Sequence, residues 1–125
     1  MNRKEFEAYV ISTYKVDAEH PFSGDSVTTV FRHSDNKKWF AIVMTIDKSK
    51  LISEKSGKID VVNIKCAPEI IDTFWEDDGI FPAYHMNKTH WLTLSLDGSV
   101  EDETITSLLA MSYRLTAPKP KAKKK

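Results

Sequence analysis

The sequence predicts an α+β fold, a two-layer α/β sandwich in which three helices cover one face of a five-stranded, mainly antiparallel sheet. Three segments carry apolar residues at helical spacing. Five shorter segments lie between polar turns, and in them apolar residues either alternate with polar ones or follow one another without interruption. Their order is α-β-β-β-α-β-β-α, which is typical of helices packed on one side of a sheet. The length of 125 residues suits one domain, which we place at residues 1–116.

The first helix is predicted at Arg3–Tyr14. Phe6 and Val10 lie one helical turn apart. Asn2, with Glu5 three residues later, can form a capping box that satisfies the free amides of a helix start. Pro21 and Gly24 then break the regular pattern, so we expect strands to follow.

Three strands are predicted next, at residues 27–32, 39–46 and 60–66. The first alternates apolar and polar side chains, which suits a half-buried strand. The second is apolar almost throughout, as in a strand covered on both faces or facing a partner. Polar segments at 34–37 and 47–58 connect them, so the sequence predicts a meander.

The second half predicts a helix from Pro68 to about residue 78, two short strands flanking a turn at Asn87-Lys88, and a final helix capped by Ser99. Acids at 101–103 favour that last helix start, because the positive end of the helix dipole lies there. The stripe that the final helix presents to the core is Ile105, Leu108, Leu109 and Ser112.

Charge is distributed unevenly along the chain. The formal net charge is zero, but residues 117–125 hold five lysines and no acid, leaving 13 basic against 18 acidic residues in the remainder. Residues 1–66 carry 11 basic and 9 acidic residues, and residues 67–116 carry 2 and 9. We expect the lysine-rich tail to be disordered, because it has no apolar face. The body lacks the overall excess of Lys and Arg that duplex binders usually present.

Several classes of protein are disfavoured. Residues 1–6 are charged and lead directly into a helical pattern, so we expect no signal peptide and a cytoplasmic location. Cys66 is the single cysteine, which excludes an intrachain disulfide and indicates a small buried side chain. The sequence has no glycine-rich phosphate loop, nucleophile elbow or clear Cys-His pair, so we expect no enzyme activity and no cofactor.

Two segments resemble the signature of the MmcQ/YjbR family, namely residues 79–91 (GIFPAYHMNKTHW) and residues 96–99 (LDGS). The resemblance spans about residues 1–116 and includes further short matches at residues 31–32, 38–41, 66–69 and 112–113. It implies a fold of the secretion-chaperone-like type and a double-wing DNA-binding motif. It brings no enzyme chemistry or cofactor.

The DNA hypothesis points to basic residues on turns. The candidate DNA-contacting residues are Arg32, Lys37 and Lys38 at the first hairpin, Lys88 at the second, and Lys119, Lys121, Lys123, Lys124 and Lys125 in the tail. Lysine contacts with phosphate position a protein without selecting sequence, and Arg32 alone offers the bidentate geometry suited to guanine. Alternatively, the turn lysines are ordinary solvated residues.

The segment around Asn87 is a second candidate surface. A two-residue turn there would place His85 opposite His90 and Tyr84 opposite Trp91, with the histidines bordering the core and the aromatic rings outward. The histidines are interpreted as structural. Alternatively, they form a proton switch, or a metal site for which no third ligand lies nearby in the sequence. The aromatic rings could form a packed pair, an oligomer contact, or a nucleic-acid or ligand contact.

Three hypotheses follow. The first is a DNA-binding domain, and the second is a self-association or protein-interaction module that uses the open sheet face with Tyr84, His85, Asn87, His90 and Trp91. The third is binding of a small ligand beside the two histidines.

Overall fold

The computed structural model describes residues 1–22, 24 and 27–118. Within them, the helices are α1 (Arg3–Tyr14) and α2 (Asp102–Thr116), and the strands are β1 (Thr29–Arg32), β2 (Trp39–Asp47), β3 (Lys58–Lys65), β4 (Ile80–Pro82) and β5 (Trp91–Ser95). The strands form one antiparallel sheet in the order β1-β2-β3-β5-β4. The predicted α+β class and five-stranded antiparallel sheet are confirmed, and so is the meander of β1, β2 and β3.

Both α-helices pack on the same face of the sheet, which we call the helix face. The capping box at α1 is formed as predicted, with the Glu5 amide donating to Asn2 Oδ1 at 2.8 Å and the Asn2 amide donating to Glu5 Oε1 at 2.9 Å. Phe6 and Val10 of α1 are fully buried. The predicted stripe of α2 is buried with them against the sheet: Ile105, Leu108, Leu109 and Ser112.

The hydroxyl of Ser112 fixes α2 over the central strands. It donates to the Phe40 carbonyl at 2.6 Å and accepts from the Lys65 amide at 2.8 Å. Ser112 is fully buried, so these two bonds satisfy it where water does not reach. None of the helices in the described ranges is both long and apolar enough to cross a membrane.

The predicted helix at residues 68–78 is wrong. The segment forms successive turns, with a 3₁₀ turn at Ile71–Phe74, and its amides bond three residues back rather than four. The Thr73 hydroxyl also donates to the Ile70 carbonyl at 2.6 Å, a local bond that competes with the helical pattern. Ile71 is buried, whereas Ile70 and Trp75 remain 42% and 39% exposed.

The predicted hairpin around Asn87-Lys88 is also wrong. β4 ends at Pro82, and its pairing with β5 aligns Ile80 with Leu94 and Pro82 with Leu92. An eight-residue connection, residues 83–90, then joins the two strands. His85 therefore does not pair with His90, and Tyr84 does not pair with Trp91.

Two smaller boundaries differ from the prediction. The first strand begins at Thr29 rather than at residue 27, and Val27 is 52% exposed. Ser99 does not cap α2, whose N-cap is Glu101. Instead the Ser99 amide and hydroxyl both donate to Asp97 Oδ1, at 3.0 and 2.6 Å, because a short polar side chain favours such a local turn.

The two outer strands of the sheet are short or partly covered. At one edge, Glu19 forms an antiparallel bridge with Val30 of β1, with both backbone bonds made. At the other, β4 is three residues long and ends in Pro82, which has no amide hydrogen to donate.

Candidate nucleic-acid interface

One end of the sheet collects basic residues from distant parts of the sequence. Arg32 pairs with Trp39, Lys65 pairs with Trp91, and Pro82 pairs with Leu92, so the end of β1, the start of β2, the end of β3 and the start of β5 lie together. We call this the basic end. Its cations are Lys15, Arg32, Lys37, Lys38, Lys65, Lys88 and Arg114, and its acids are Asp17, Glu19, Asp35 and Glu69.

Arg32 is already engaged within the protein. Its Nε lies 3.0 Å from one carboxylate oxygen of Glu19, and its second nitrogen lies 2.9 Å from the other. This bidentate pair occupies the fork that was predicted to recognise guanine. Arg32 therefore joins the segment before β1 to the sheet, and it meets Lys15, His33 and Lys37 around a cleft of about 230 Å³.

The three lysines predicted as contacts differ in their surroundings. Lys37 and Lys38 are exposed on the turn between β1 and β2, and Lys37 has a left-handed backbone with φ of 65°. Lys88 is exposed too, and its ammonium group donates to the Ala83 carbonyl at 2.8 Å. All three stand at the basic end, although their sequence positions gave no sign that the two turns adjoin one end of the sheet.

The C-terminus of α2 also lies at the basic end. The Asn36 side chain donates to the Thr116 carbonyl at 2.9 Å, and His33 Nε2 lies 2.9 Å from the Thr116 hydroxyl and 3.1 Å from the Tyr113 carbonyl. His33 is 3% exposed, so these contacts fix the end of α2 against the β1–β2 turn. The described chain ends two residues later at Pro118. The predicted contacts Lys119, Lys121, Lys123, Lys124 and Lys125 lie outside the described residues.

The opposite end of the sheet carries charges of both signs, because residues 48–58 bring Lys48, Lys50, Lys55 and Lys58 there beside a larger number of acids. Its acids lie around the end of β5 and the starts of β4 and α2. They include Asp77, Asp78, Asp97 and residues 101–103. Burial acts to raise the pKa of Asp97, but the hydrogen bonds from Ser99 and from its own amide, together with the charge of Lys48, outweigh burial and lower that pKa. A cleft of about 350 Å³ at this end is lined by Lys48 and Lys55 and by Asp78 and Asp97, so side chains of both charges border it.

The face of the sheet away from the helices, here the second face, is covered where residue 84 crosses it. The Asn63 side chain donates to the Tyr84 carbonyl at 2.9 Å, and the Tyr84 amide donates to the Thr93 hydroxyl at 2.9 Å. That hydroxyl donates in turn to Asn63 Oδ1 at 2.5 Å, and Asn63 and Thr93 are both fully buried. The expected open sheet face is therefore closed at its centre by the 83–90 connection.

The residues of the predicted interaction surface are dispersed along this connection. Tyr84 is half-buried with its ring 4.0 Å from the ring of His85, and His85 is exposed with φ of 63°. Asn87 organises a turn through its side chain and carbonyl, and His90 follows it, half-buried. Trp91 lies on the second face, where the Lys65 ammonium group stands 5.9 Å from its ring centre. Across the described ranges, no three His, Cys, Asp or Glu side chains are placed to hold a metal ion.

The comparisons with known proteins agree with this architecture. A family model described as YjbR matches residues 11–115. The chain is 32% identical over 116 residues to the uncharacterized protein YyaQ of Bacillus subtilis, covering 93% of this chain and 98% of that one. It is 37% identical over 54 residues to the uncharacterized protein YjbR of Escherichia coli K12, covering 42% and 46%.

A solved structure shares the fold of this chain. The crystal structure of a protein from Pseudomonas syringae superposes with a TM-score of 0.91 at 39% identity, covering 94% of this chain and all of that one. The family model matches most of the length, and the Bacillus relative matches nearly all of it. This chain belongs to the YjbR family.

Proposed function

We propose that this protein is a non-enzymatic, cytoplasmic DNA-binding protein that contacts phosphates through the basic end and the lysine-rich tail. The observation that carries the proposal is the place at which α2 ends. Thr116 is bonded to Asn36 of the β1–β2 turn, beside the exposed Lys37 and Lys38, and the sequence after Pro118 contains five further lysines. Clustered cations of this kind gain affinity for a polyanion by releasing its counterions.

The two tips at the basic end support the same proposal. The β1–β2 turn and the 83–90 connection both adjoin the basic end, and each carries exposed lysine. The family resemblance implies two wings, and we assign these roles to the two segments. Because Arg32 is bound by Glu19, the contacts left to the tips are lysine–phosphate contacts, which position a protein without selecting a sequence.

The acidic opposite end supports a directed approach. Its carboxylates outnumber the lysines of residues 48–58 and repel phosphate, whereas the basic end attracts it, so we expect the molecule to meet DNA with the basic end first. Association through an open sheet face is less favoured, because the Asn63, Thr93 and Tyr84 hydrogen bonds close that face at its centre.

The experiment is a duplex-DNA titration of the full chain and of residues 1–116, between about 50 and about 200 mM salt. Removing residues 117–125 should abolish most of the binding seen at low salt. If all five tail lysines engage phosphate, their loss should make the slope of log affinity against log salt shallower by about 4.5. Undiminished affinity in the shortened chain would assign binding to the body alone. Absence of salt-sensitive binding by the full chain would reject the proposal.

A further inference from the structure

An apolar cavity of about 360 Å³ lies on the second face, next to the basic end. It is bounded by the sheet, by residues 22 and 28 before β1, and by the 83–90 connection. Its lining residues are Phe22, Thr28, Trp39, Ile42, Met44, His85 and Met86. A volume of this size lies within the range of roughly 300–1,000 Å³ that is typical of small-ligand pockets.

Aromatic rings form one wall of the cavity. Phe22 meets Trp39 edge-on, with ring centres 5.8 Å apart and planes at 90°. Phe22 is 42% exposed and Trp39 is half-exposed, so this pair presents ring surface to the cavity and to solvent. Such surface is suited to stacking a flat aromatic group.

The opposite wall is held by the backbone. The Tyr84 hydrogen bonds to Asn63 and Thr93 fix the backbone directly before His85 and Met86, which line the cavity. His85 keeps its left-handed φ of 63°, a conformation that is uncommon outside glycine and is enriched at binding sites. The wall is therefore preformed rather than assembled from a free loop.

Two exposed lysines lie close in sequence to lining residues. Lys38 directly precedes Trp39, and Lys88, whose ammonium group donates to the Ala83 carbonyl, follows Met86 by two residues. Beyond them, Lys65 stands over the ring of Trp91 on the same face. Alternation of aromatic surface with cations is typical of proteins that bind single strands, because bases stack while phosphates pass between the cations.

The apolar lining of the cavity favours thymine over uracil. Five of the seven side chains are apolar. Such a lining gains from contact with the C5-methyl group of thymine, which uracil lacks. It offers few partners for the 2′-hydroxyl by which proteins identify RNA.

We propose that this cavity receives an unpaired thymine base of single-stranded DNA, stacked on Trp39, with flanking phosphates on Lys38 and Lys88. The inference rests on the proposed DNA-binding function and specifies its substrate. It requires the base to leave any duplex, so single strands should bind better than duplexes of equal length.

The test compares oligodeoxythymidylate and oligodeoxyuridylate, each of about 12 nucleotides, with a duplex of the same length and with oligouridylate RNA. The full chain should bind the thymine strand tightest. A single base in the cavity should favour thymine over uracil by about threefold to fourfold, which corresponds to one buried methyl group.

Variants locate the effect. Trp39→Leu should weaken binding of the thymine strand at least about fivefold with an unchanged salt slope, because stacking is lost while the lysines remain. Trp75→Leu is the matched control, since Trp75 is 39% exposed and lies outside the cavity, and it should change affinity by less than about twofold. Phe22→Ala changes an exposed ring and serves as a second variant should Trp39→Leu fold poorly.

The outcomes separate the two proposals. Equal binding of thymine and uracil strands, unaffected by Trp39→Leu and Phe22→Ala, would overturn the cavity assignment and leave phosphate binding intact. Tighter binding of the duplex or of the RNA would also overturn it. Absence of salt-sensitive binding to every probe would instead reject the proposed function itself.

Discussion

Asn63 uses both polar atoms of its side chain in the interior of the protein. Its amide nitrogen binds the Tyr84 carbonyl, and its oxygen accepts from Thr93. These bonds draw the chain off the sheet after Pro82 and over the second face, which is why the predicted hairpin does not form. An asparagine amid Val61, Val62 and Ile64 is an unusual strand residue and could have been noticed in the sequence. Its partners could not, because nothing in local spacing identifies an acceptor 21 residues away.

Replacing Asn63 by alanine should be strongly destabilising. The change leaves the Tyr84 carbonyl and the Thr93 hydroxyl with fewer partners where water is excluded, and we expect a loss of about 2–4 kcal/mol in the free energy of unfolding. Urea unfolding monitored by circular dichroism measures it. Asn36→Ala is the control, because Asn36 also donates to a carbonyl but is half-exposed and water can replace it. Similar losses in the two variants would contradict the argument.

Among the elements, those set by local chemistry were predictable. Helix α1 has the predicted bounds because a capping box and an apolar stripe agree. The crossover at residues 68–78 has a comparable apolar pattern but no helix, since Thr73 binds the Ile70 carbonyl and several of its residues are weak helix formers. The hairpin failed because its register depends on contacts made across the sheet rather than on the turn residues.

Gly79 shows how tightly the start of β4 meets the segment before α2. Its φ is 77°, and a Cβ there would stand 2.4 Å from the Ser99 hydroxyl and 2.6 Å from a Val100 methyl group. Gly79→Ala should therefore combine conformational strain with overpacking, for a loss of about 2–4 kcal/mol in unfolding free energy.

Gly57→Ala separates these two causes. Gly57 has φ of 98°, and nothing lies within 4 Å of its would-be Cβ, so the substitution carries strain alone and should lose about 1–2 kcal/mol. Thermal and urea unfolding of both variants measure the difference. Equal losses would show that Ser99 and Val100 move aside without penalty.

At the scale of the whole molecule, charge separates along the strands. The composition alone could not predict this separation. Residues 1–116 carry more acids than bases, and the two halves of the sequence do not correspond to the two ends of the sheet. Antiparallel pairing brings Arg32, Lys65 and the start of β5 to one end, and the acids after β5 to the other. The order of the elements was enough to predict the fold class, whereas the distribution of charge could be predicted only once the strand pairing was known.

A pair of variants with equal charge tests this separation. Lys37→Gln with Lys38→Gln should weaken duplex binding and make the salt slope shallower by about 1.8, from two lost phosphate contacts. Lys50→Gln with Lys55→Gln removes the same charge from exposed lysines at the opposite end, and it should leave the slope nearly unchanged. Fluorescence anisotropy at several salt concentrations measures both. Equal effects would show that DNA responds to net charge and not to the basic end.

The outer strands described with the fold limit how copies of this protein can associate. Strand addition needs a row of free backbone donors and acceptors, but β1 is bridged by Glu19 and β4 has three residues, one of them Pro82. Continuous sheets across two molecules are therefore disfavoured, and so is ordered aggregation that begins by edge pairing. Under the proposed DNA-binding function, several copies on one DNA molecule would therefore lie side by side as separate units, without a sheet that continues from one copy to the next.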